Sequence, residues 1–154
     1  MSIKVRLEID PNGEEEIIIK AKSLSEEVLR IEAALRGGSA FSSEMELKQG
    51  GNDFFIKTKD ILFFETDGSK TAAHTRDKMY YTELKLYELA EQLPHYFMRI
   101  SKSCIININA VSSTRRELTG ICEAFFEGTA KKVFISRSYY KPFREAVKEI
   151  RLKR

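Results

Sequence analysis

Three short segments of this sequence place hydroxyl side chains beside a lysine or an arginine. They are Asp67–Thr71, Arg99–Ser103 and Ser136–Lys141, and each has the composition of a loop. Hydroxyl and cationic groups donate hydrogen bonds to phosphate oxygens, and Lys and Arg also donate to guanine in the major groove of DNA. The segments therefore indicate nucleic-acid binding, although a solvated basic surface explains the same residues about equally well.

The distribution of charge also indicates an anionic partner. The formal net charge is only +3. Residues 1–40 contribute −2 and residues 41–98 contribute −3, whereas residues 99–154 hold thirteen Lys and Arg against five Asp and Glu. A positive surplus concentrated in one region most often marks a nucleic-acid partner.

Candidates for catalysis or metal binding are few. Cys104 and Cys122 form neither a CxxC pair nor a disulfide framework. Cys104 precedes two isoleucines, which predicts a small core residue, and His74 lies in an alternating stretch that predicts an exposed strand residue. The sequence has no GxGxxG, P-loop or HExxH motif. We therefore expect no enzyme activity, no cofactor and no metal site.

Length and composition fit a globular domain with a small extension. The chain has 154 residues, 42% of them hydrophobic and 32% charged. No apolar run approaches the ~20 residues of a membrane span. Lys4 and Arg6 stand where a signal peptide would be apolar, so we expect a cytoplasmic protein.

Residues 1–40 are predicted to form a β-hairpin followed by a helix. Residues 3–8 alternate apolar and charged side chains, an Asp-Pro-Asn-Gly turn follows, and residues 16–20 predict the returning strand. A capping-box spacing and apolar residues at helical intervals predict a helix over 23–36. The apolar run at 17–19 makes this extension the candidate dimer contact.

The rest of the chain, residues 44–152, is predicted to be an α+β domain, mainly β. Short strand-like runs recur between turns up to residue 135, which is typical of antiparallel strands. A helix over 82–93 interrupts them, and a basic amphipathic helix ends the chain. The helices at 23–36 and 82–93 are acidic or mixed, so we expect loops or strands to contact DNA.

Four motifs occur in the order and at the spacing of the LytTR family of bacterial DNA-binding domains, which this sequence resembles. They are Asp60–Thr66, Leu86–Leu89 with the following Leu-Pro, Phe97–Asn107 and Val133–Tyr139. The family commonly has Phe-x-Arg-x-His-x-Ser in the third motif, and Ser101 replaces the histidine here.

The resemblance implies a mostly β domain whose loops enter successive major grooves of double-stranded DNA. Carried over to this sequence, it implies base-reading loops at Lys70 and Thr71, at Ser101 and Lys102, and at Arg137. It also implies a set of neighbours that contact the DNA backbone, namely Arg99, Ser103, Ser136, Ser138 and Lys141.

The resemblance has consequences for partners as well. Only about forty residues precede the matching stretch, so we expect a stand-alone regulator without a receiver domain. We expect a homodimer that is controlled by its abundance or by a partner such as a small membrane protein; contact with RNA polymerase is left open.

Two alternatives to duplex binding remain open from the residues. The aromatic pairs Phe54-Phe55 and Phe63-Phe64 could stack on single-stranded nucleic acid, although their apolar surroundings favour core packing. The domain could instead bind a protein and have lost DNA binding, for which Ser101 is the only indication.

Overall fold

The structure is a computed structural model that describes residue 4, residues 6–37 and residues 43–152. Contacts within the chain divide it into two units, Met1–Arg36 and Gly37–Arg154. None of the helices in the described part of the chain is long and apolar enough to cross a membrane.

The first unit contains the predicted helix and the predicted turn. Helix α1 spans Glu26–Gly37. The hydroxyl of Ser25 accepts a hydrogen bond from the Val28 amide at 3.2 Å and caps the helix. The cap therefore lies two residues after Ser23, where the predicted helix begins. The turn closes through the Gly13 amide, which donates to the Asp10 carbonyl at 3.1 Å.

The hairpin predicted around that turn is wrong for the described residues, because residues 6–21 contain no strand. Leu7 is 84% exposed and Ile17 is 73% exposed. A two-stranded hairpin needs an apolar surface to pack against, and alone it is at best marginally stable in water. Ile3 and Val5, which also belong to the prediction, lie outside the described residues.

The described residues of the second unit form ten antiparallel strands and two helices, which confirms the predicted mainly β class. A seven-stranded sheet has the order β2-β1-β5-β4-β3-β7-β6, and a three-stranded sheet has the order β10-β9-β8. The strands are Glu44–Gln49 (β1), Asn52–Lys57 (β2), Phe63–Asp67 (β3), Lys70–His74 (β4), Met79–Thr82 (β5), Phe97–Ser101 (β6), Cys104–Asn107 (β7), Val111–Arg116 (β8), Cys122–Phe126 (β9) and Lys132–Ile135 (β10). The helices are Leu86–Gln92 (α2) and Arg137–Val147 (α3), and single helical turns occur at Thr58–Asp60, Ile108–Ala110 and Lys148–Leu152.

The large sheet is buried on both faces at its centre. Phe64 packs in a cluster with Leu89 of α2, whereas its neighbour Phe63 packs in a second cluster with Phe126 of β9 and Phe143 of α3. Consecutive residues of a strand point to opposite faces, so one Phe-Phe pair supplies both cores. Phe63 and Phe64 are therefore core residues and are not available to stack on bases.

The expectation of an exposed His74 is wrong. His74 is only 8% exposed. Its strand, β4, lies between β5 and β3 in the interior of the sheet, where both faces are covered. Alternation in the sequence indicated a strand, but it could not show that the strand is central.

Candidate nucleic-acid interface

Two of the three hydroxyl-rich segments meet at one end of the large sheet. The β3–β4 turn joins the paired residues Asp67 and Lys70, and the β6–β7 turn joins the paired residues Ser101 and Cys104. Because β3 also pairs with β7, these turns are neighbours. The Thr66 amide donates to the Ser103 carbonyl at 3.0 Å and links them directly.

The third segment is attached to the same place through β6. The amide of Ser136 donates to the carbonyl of Ile100 at 3.0 Å, and its hydroxyl reaches the same oxygen at 3.3 Å. Helix α3 begins at the next residue, Arg137. The three segments are spread over some seventy residues of sequence, and the fold brings them together.

The β6–β7 turn is organised by its own strand. Arg99 donates from Nε to the Ser101 carbonyl at 2.9 Å and from Nη2 to the Lys102 carbonyl. The Ser103 amide donates to the Ser101 hydroxyl at 3.2 Å. These bonds fix the backbone on which the exposed Lys102 side chain stands.

The β3–β4 turn is held from another element. Gly68 has a φ of 61°, which favours glycine. The Lys85 ammonium donates to the Ser69 carbonyl at 3.0 Å, and the Lys85 amide donates to the Glu88 carboxylate at 3.1 Å. A shallow groove of about 330 Å³ lies between this turn, Lys85 and Arg99.

The predicted site residues differ in exposure. Arg99, Ser101 and Ser136 are half-buried. Six others are exposed, and we call them the contact surface: Lys70, Lys102, Ser103, Arg137, Ser138 and Lys141.

Thr71 does not belong to this surface. It is 2% exposed, and its hydroxyl donates to the Leu84 carbonyl at 2.7 Å. This burial argues against the expectation that Thr71 reads a base, because β4 begins at Lys70, two residues earlier than a loop over Asp67–Thr71 would allow.

Sequence reasoning overlooked two cations beside the contact surface. Lys85 is one, and Arg116 is the other: its guanidinium lies 4.2 Å from the ring centroid of Tyr140 in α3. The sequence signal for Arg116 was its place in the basic last third of the chain. No local sequence pattern predicted its contact with Tyr140, which lies 24 positions away.

The titratable side chains of Glu65 and His74 pair on two neighbouring strands of the large sheet. His74 Nε2 lies 2.8 Å from a Glu65 carboxylate oxygen, and its ring stacks on Phe63 with centroids 4.3 Å apart. Burial lowers the pKa of His74, although the bond to Glu65 opposes the shift. His74 Nδ1 is buried without a partner, as expected of a neutral imidazole.

The cysteines do not form a reactive site. Burial raises the pKa of Cys104 to about 12 and also raises the pKa of Cys122. Cys104 is 7% exposed, which confirms the predicted core residue. Within residues 6–37 and 43–152, no group of His, Cys, Asp and Glu side chains could hold a metal ion.

The three-stranded sheet contains one buried carboxylate. Glu123 is 4% exposed and accepts hydrogen bonds from Arg115 Nε and Lys132 Nζ, both at 3.1 Å. The hydrogen bond from Arg115 is the largest of the effects that lower the pKa of Glu123, and the hydrogen bond from Lys132 is the next. The carboxylate thus pairs with a cation of β8 and a cation of β10.

A model of the LytTr DNA-binding domain family matches residues 51–148, well over half of the chain. The match contains all three hydroxyl-rich segments. A solved LytTr DNA-binding domain from Bacillus cereus has the same fold, with a TM-score of 0.63 and 21% identity over 68% of this chain and 96% of that chain.

Curated relatives come from Staphylococcus aureus and are named HTH-type transcriptional regulators. This chain is 33% identical over 90 residues to one from strain bovine RF122 / ET3-1 and 32% identical over 90 residues to one from strain NCTC 8325 / PS 47. The match covers 58% of this chain and 60% of each relative. In the described part of this chain, five strands separate α2 from α3, so these two helices form no helix-turn-helix.

Proposed function

The chain belongs to the LytTr DNA-binding domain family, and on that premise we propose that it is a bacterial transcriptional regulator that reads double-stranded DNA through loops. The proposal rests chiefly on one observation: three separate segments with phosphate-binding and base-binding chemistry converge on the contact surface. A protein with this role works in the cytoplasm, where the chromosome lies.

Lys102 and Arg137 are the proposed base-reading residues. Both are exposed, and both stand on backbone that hydrogen bonds fix: Lys102 on the turn held by Arg99, and Arg137 directly after Ser136. Lys and Arg donate to the acceptors of guanine in the major groove. A cation on a fixed backbone can discriminate between bases, because its reach is defined.

Lys70 is the third proposed reading contact, and Lys141 with the hydroxyls of Ser103, Ser136 and Ser138 are the proposed phosphate contacts. Such contacts set the position of a protein on the duplex and make its affinity depend on salt. Ser101, which the resemblance places in a base-reading loop, also has a structural role, because its hydroxyl accepts a hydrogen bond from the Ser103 amide inside the turn.

Selection of bound duplexes from a random pool tests this function. The wild-type chain should enrich a recurrent motif, and Arg137→Ala should lose preference at one position of that motif at a cost of ~1–3 kcal/mol. If Arg137→Ala weakened binding to every sequence equally, Arg137 would not read a base. No enrichment even at low salt would overturn the proposed function and favour a protein-interaction module. A single strand that competes better than its duplex would favour the single-stranded alternative.

We also propose that residues 1–40 form a dimer contact and that residues 44–152 form the DNA-binding domain. Leu29 and Leu35 of α1 are 44% and 51% exposed, and Ile18 is 63% exposed, so this unit carries apolar surface that a second copy could cover. Sedimentation of the full chain should show a dimer. A small membrane protein as controlling partner is a separate proposal, tested by whether the chain co-purifies with membranes.

A further inference from the structure

The β8–β9 turn, residues 117–121, projects beside the contact surface. The Glu117 amide donates to the Ile121 carbonyl at 2.7 Å, and the Gly120 amide donates to the Glu117 carbonyl at 2.9 Å. Gly120 has a φ of 90°, a conformation that other residues rarely adopt. The turn is therefore a tight structure with a defined tip at Leu118 and Thr119.

This turn packs directly against the first residues of α3. A Cβ atom placed on Gly120 would lie 3.1 Å from Cδ and 3.3 Å from Cγ of Arg137, so the aliphatic part of Arg137 lies across the glycine. Arg116, just before the turn, stacks on Tyr140 one helical turn further along. The turn and the proposed base-reading residue Arg137 thus form one continuous surface.

The tip of the turn combines an apolar side chain with cations. Leu118 is 108% exposed, which is full exposure, and Ile121 is 36% exposed. Single exposed leucines are ordinary on protein surfaces. Leu118 differs because Arg116 and Arg137 flank its turn, while the carboxylate of Glu117 lies 3.6 Å from Arg115 Nε and is partly neutralised by it.

We propose that the β8–β9 turn is a fourth contact with the duplex that Lys102 and Arg137 read. Leu118 packs against a thymine methyl group in the major groove beside the base that Arg137 contacts, and Arg116 binds the adjacent phosphate. Apolar side chains recognise thymine through this methyl group, and an arginine next to them supplies the charge complementarity that duplex DNA requires. The inference rests on the proposed function of the contact surface.

Photocrosslinking of the full chain to the duplex recovered by selection tests the contact directly. A benzophenone amino acid at position 118 should crosslink to DNA. The matched control is the same amino acid at Leu152, which is 68% exposed and follows Arg151, a residue bonded to the opposite end of β8. Absence of a crosslink at 118 with normal duplex affinity, or equal crosslinking at 152, would overturn the inference.

Binding constants separate the two roles within the turn. Leu118→Ser should weaken binding about tenfold, the loss expected from roughly two buried methylene groups, without changing the salt dependence. Uracil in place of the contacted thymine should weaken wild-type binding and leave the Leu118→Ser variant unaffected. Arg116→Gln should make the fall of log K with log salt less steep, by about 0.9 in slope.

The outcomes distinguish this inference from the function on which it rests. If the wild-type chain binds no duplex, both fail. If the wild-type chain binds and Leu118→Ser binds equally well, only the fourth contact fails. Leu118 is fully exposed, so the variant should retain the wild-type melting temperature, and a Leu152→Ser variant should match wild type in both assays.

Discussion

Two neighbouring turns at the contact surface are each held by a cation, and they differ in where that cation comes from. Arg99 stands two residues before the β6–β7 turn and donates to two of its carbonyls. The β3–β4 turn has one cationic bond, from Lys85 to Ser69 across sixteen residues of sequence, and the Tyr81 hydroxyl donates to its Asp67 carboxylate at 3.2 Å. The first turn is therefore shaped by its own strand, whereas the second depends on how α2 begins.

This difference predicts unequal sensitivity to mutation, and Arg99→Gln should have the largest effect. Loss of two charge-assisted hydrogen bonds should free the backbone that carries Lys102 and cost ~2–3 kcal/mol of duplex affinity. Arg99→Lys is the informative control, since it keeps the charge and loses the planar fork. Recovery of wild-type affinity with lysine would mean that Arg99 acts only as a charge toward phosphate.

Thr71→Val should separate stability from binding on the second turn. Its buried hydroxyl bonds to the Leu84 carbonyl, so the free energy of unfolding should fall by ~1–2 kcal/mol. Lys70→Ala, one residue earlier and exposed, should leave stability unchanged and weaken duplex binding. Urea denaturation and a binding titration on both variants measure this, and a stable Thr71→Val protein with reduced sequence preference would restore Thr71 as a base contact.

Lys85→Met should have a smaller effect than either change. Its single bond to Ser69 is exposed, and exposed charged contacts contribute ~0–1 kcal/mol. In the same titration, Lys85→Met should lose less duplex affinity than Arg99→Gln loses. A loss equal to that of Arg99→Gln would show that the two turns are equally dependent on their cations.

A dependence of stability on pH around 6.5 should arise from the β3–β4 hairpin. The pKa of His74 is lowered by burial in the folded state, so the unfolded chain takes up a proton first as the pH falls below about 6.5. Stability should be complete above that pH and decline below it. His74→Gln should flatten the decline in a series of melting temperatures, and His95→Gln, at an exposed position, should not.

The same contrast explains what could be predicted from sequence. Arg99 acts within three residues, so its place in an alternating strand and in a family motif was sufficient to select it. Lys85, Thr71 and Arg116 depend on partners thirteen to twenty-four residues away, and no local pattern indicated those partners.

The features of the fold also differ in whether local sequence could predict them. Turns and short strands from residue 44 onward follow from alternation and Gly, Pro and Asp placement, and the structure confirms the mainly β class. Alternation around His74 could not reveal that β4 is central. Alternation in residues 3–8 could not supply the packing partner that a hairpin requires.

Amide hydrogen exchange of the full chain, with and without the selected duplex, tests the central claim most directly. Duplex should slow exchange in three separate stretches, residues 67–71, 99–103 and 136–141. Residues 75–77 and 109–112, at the opposite end of the sheet, should exchange as before. Protection at that opposite end, or protection of only one of the three stretches, would contradict a contact surface built from converging loops.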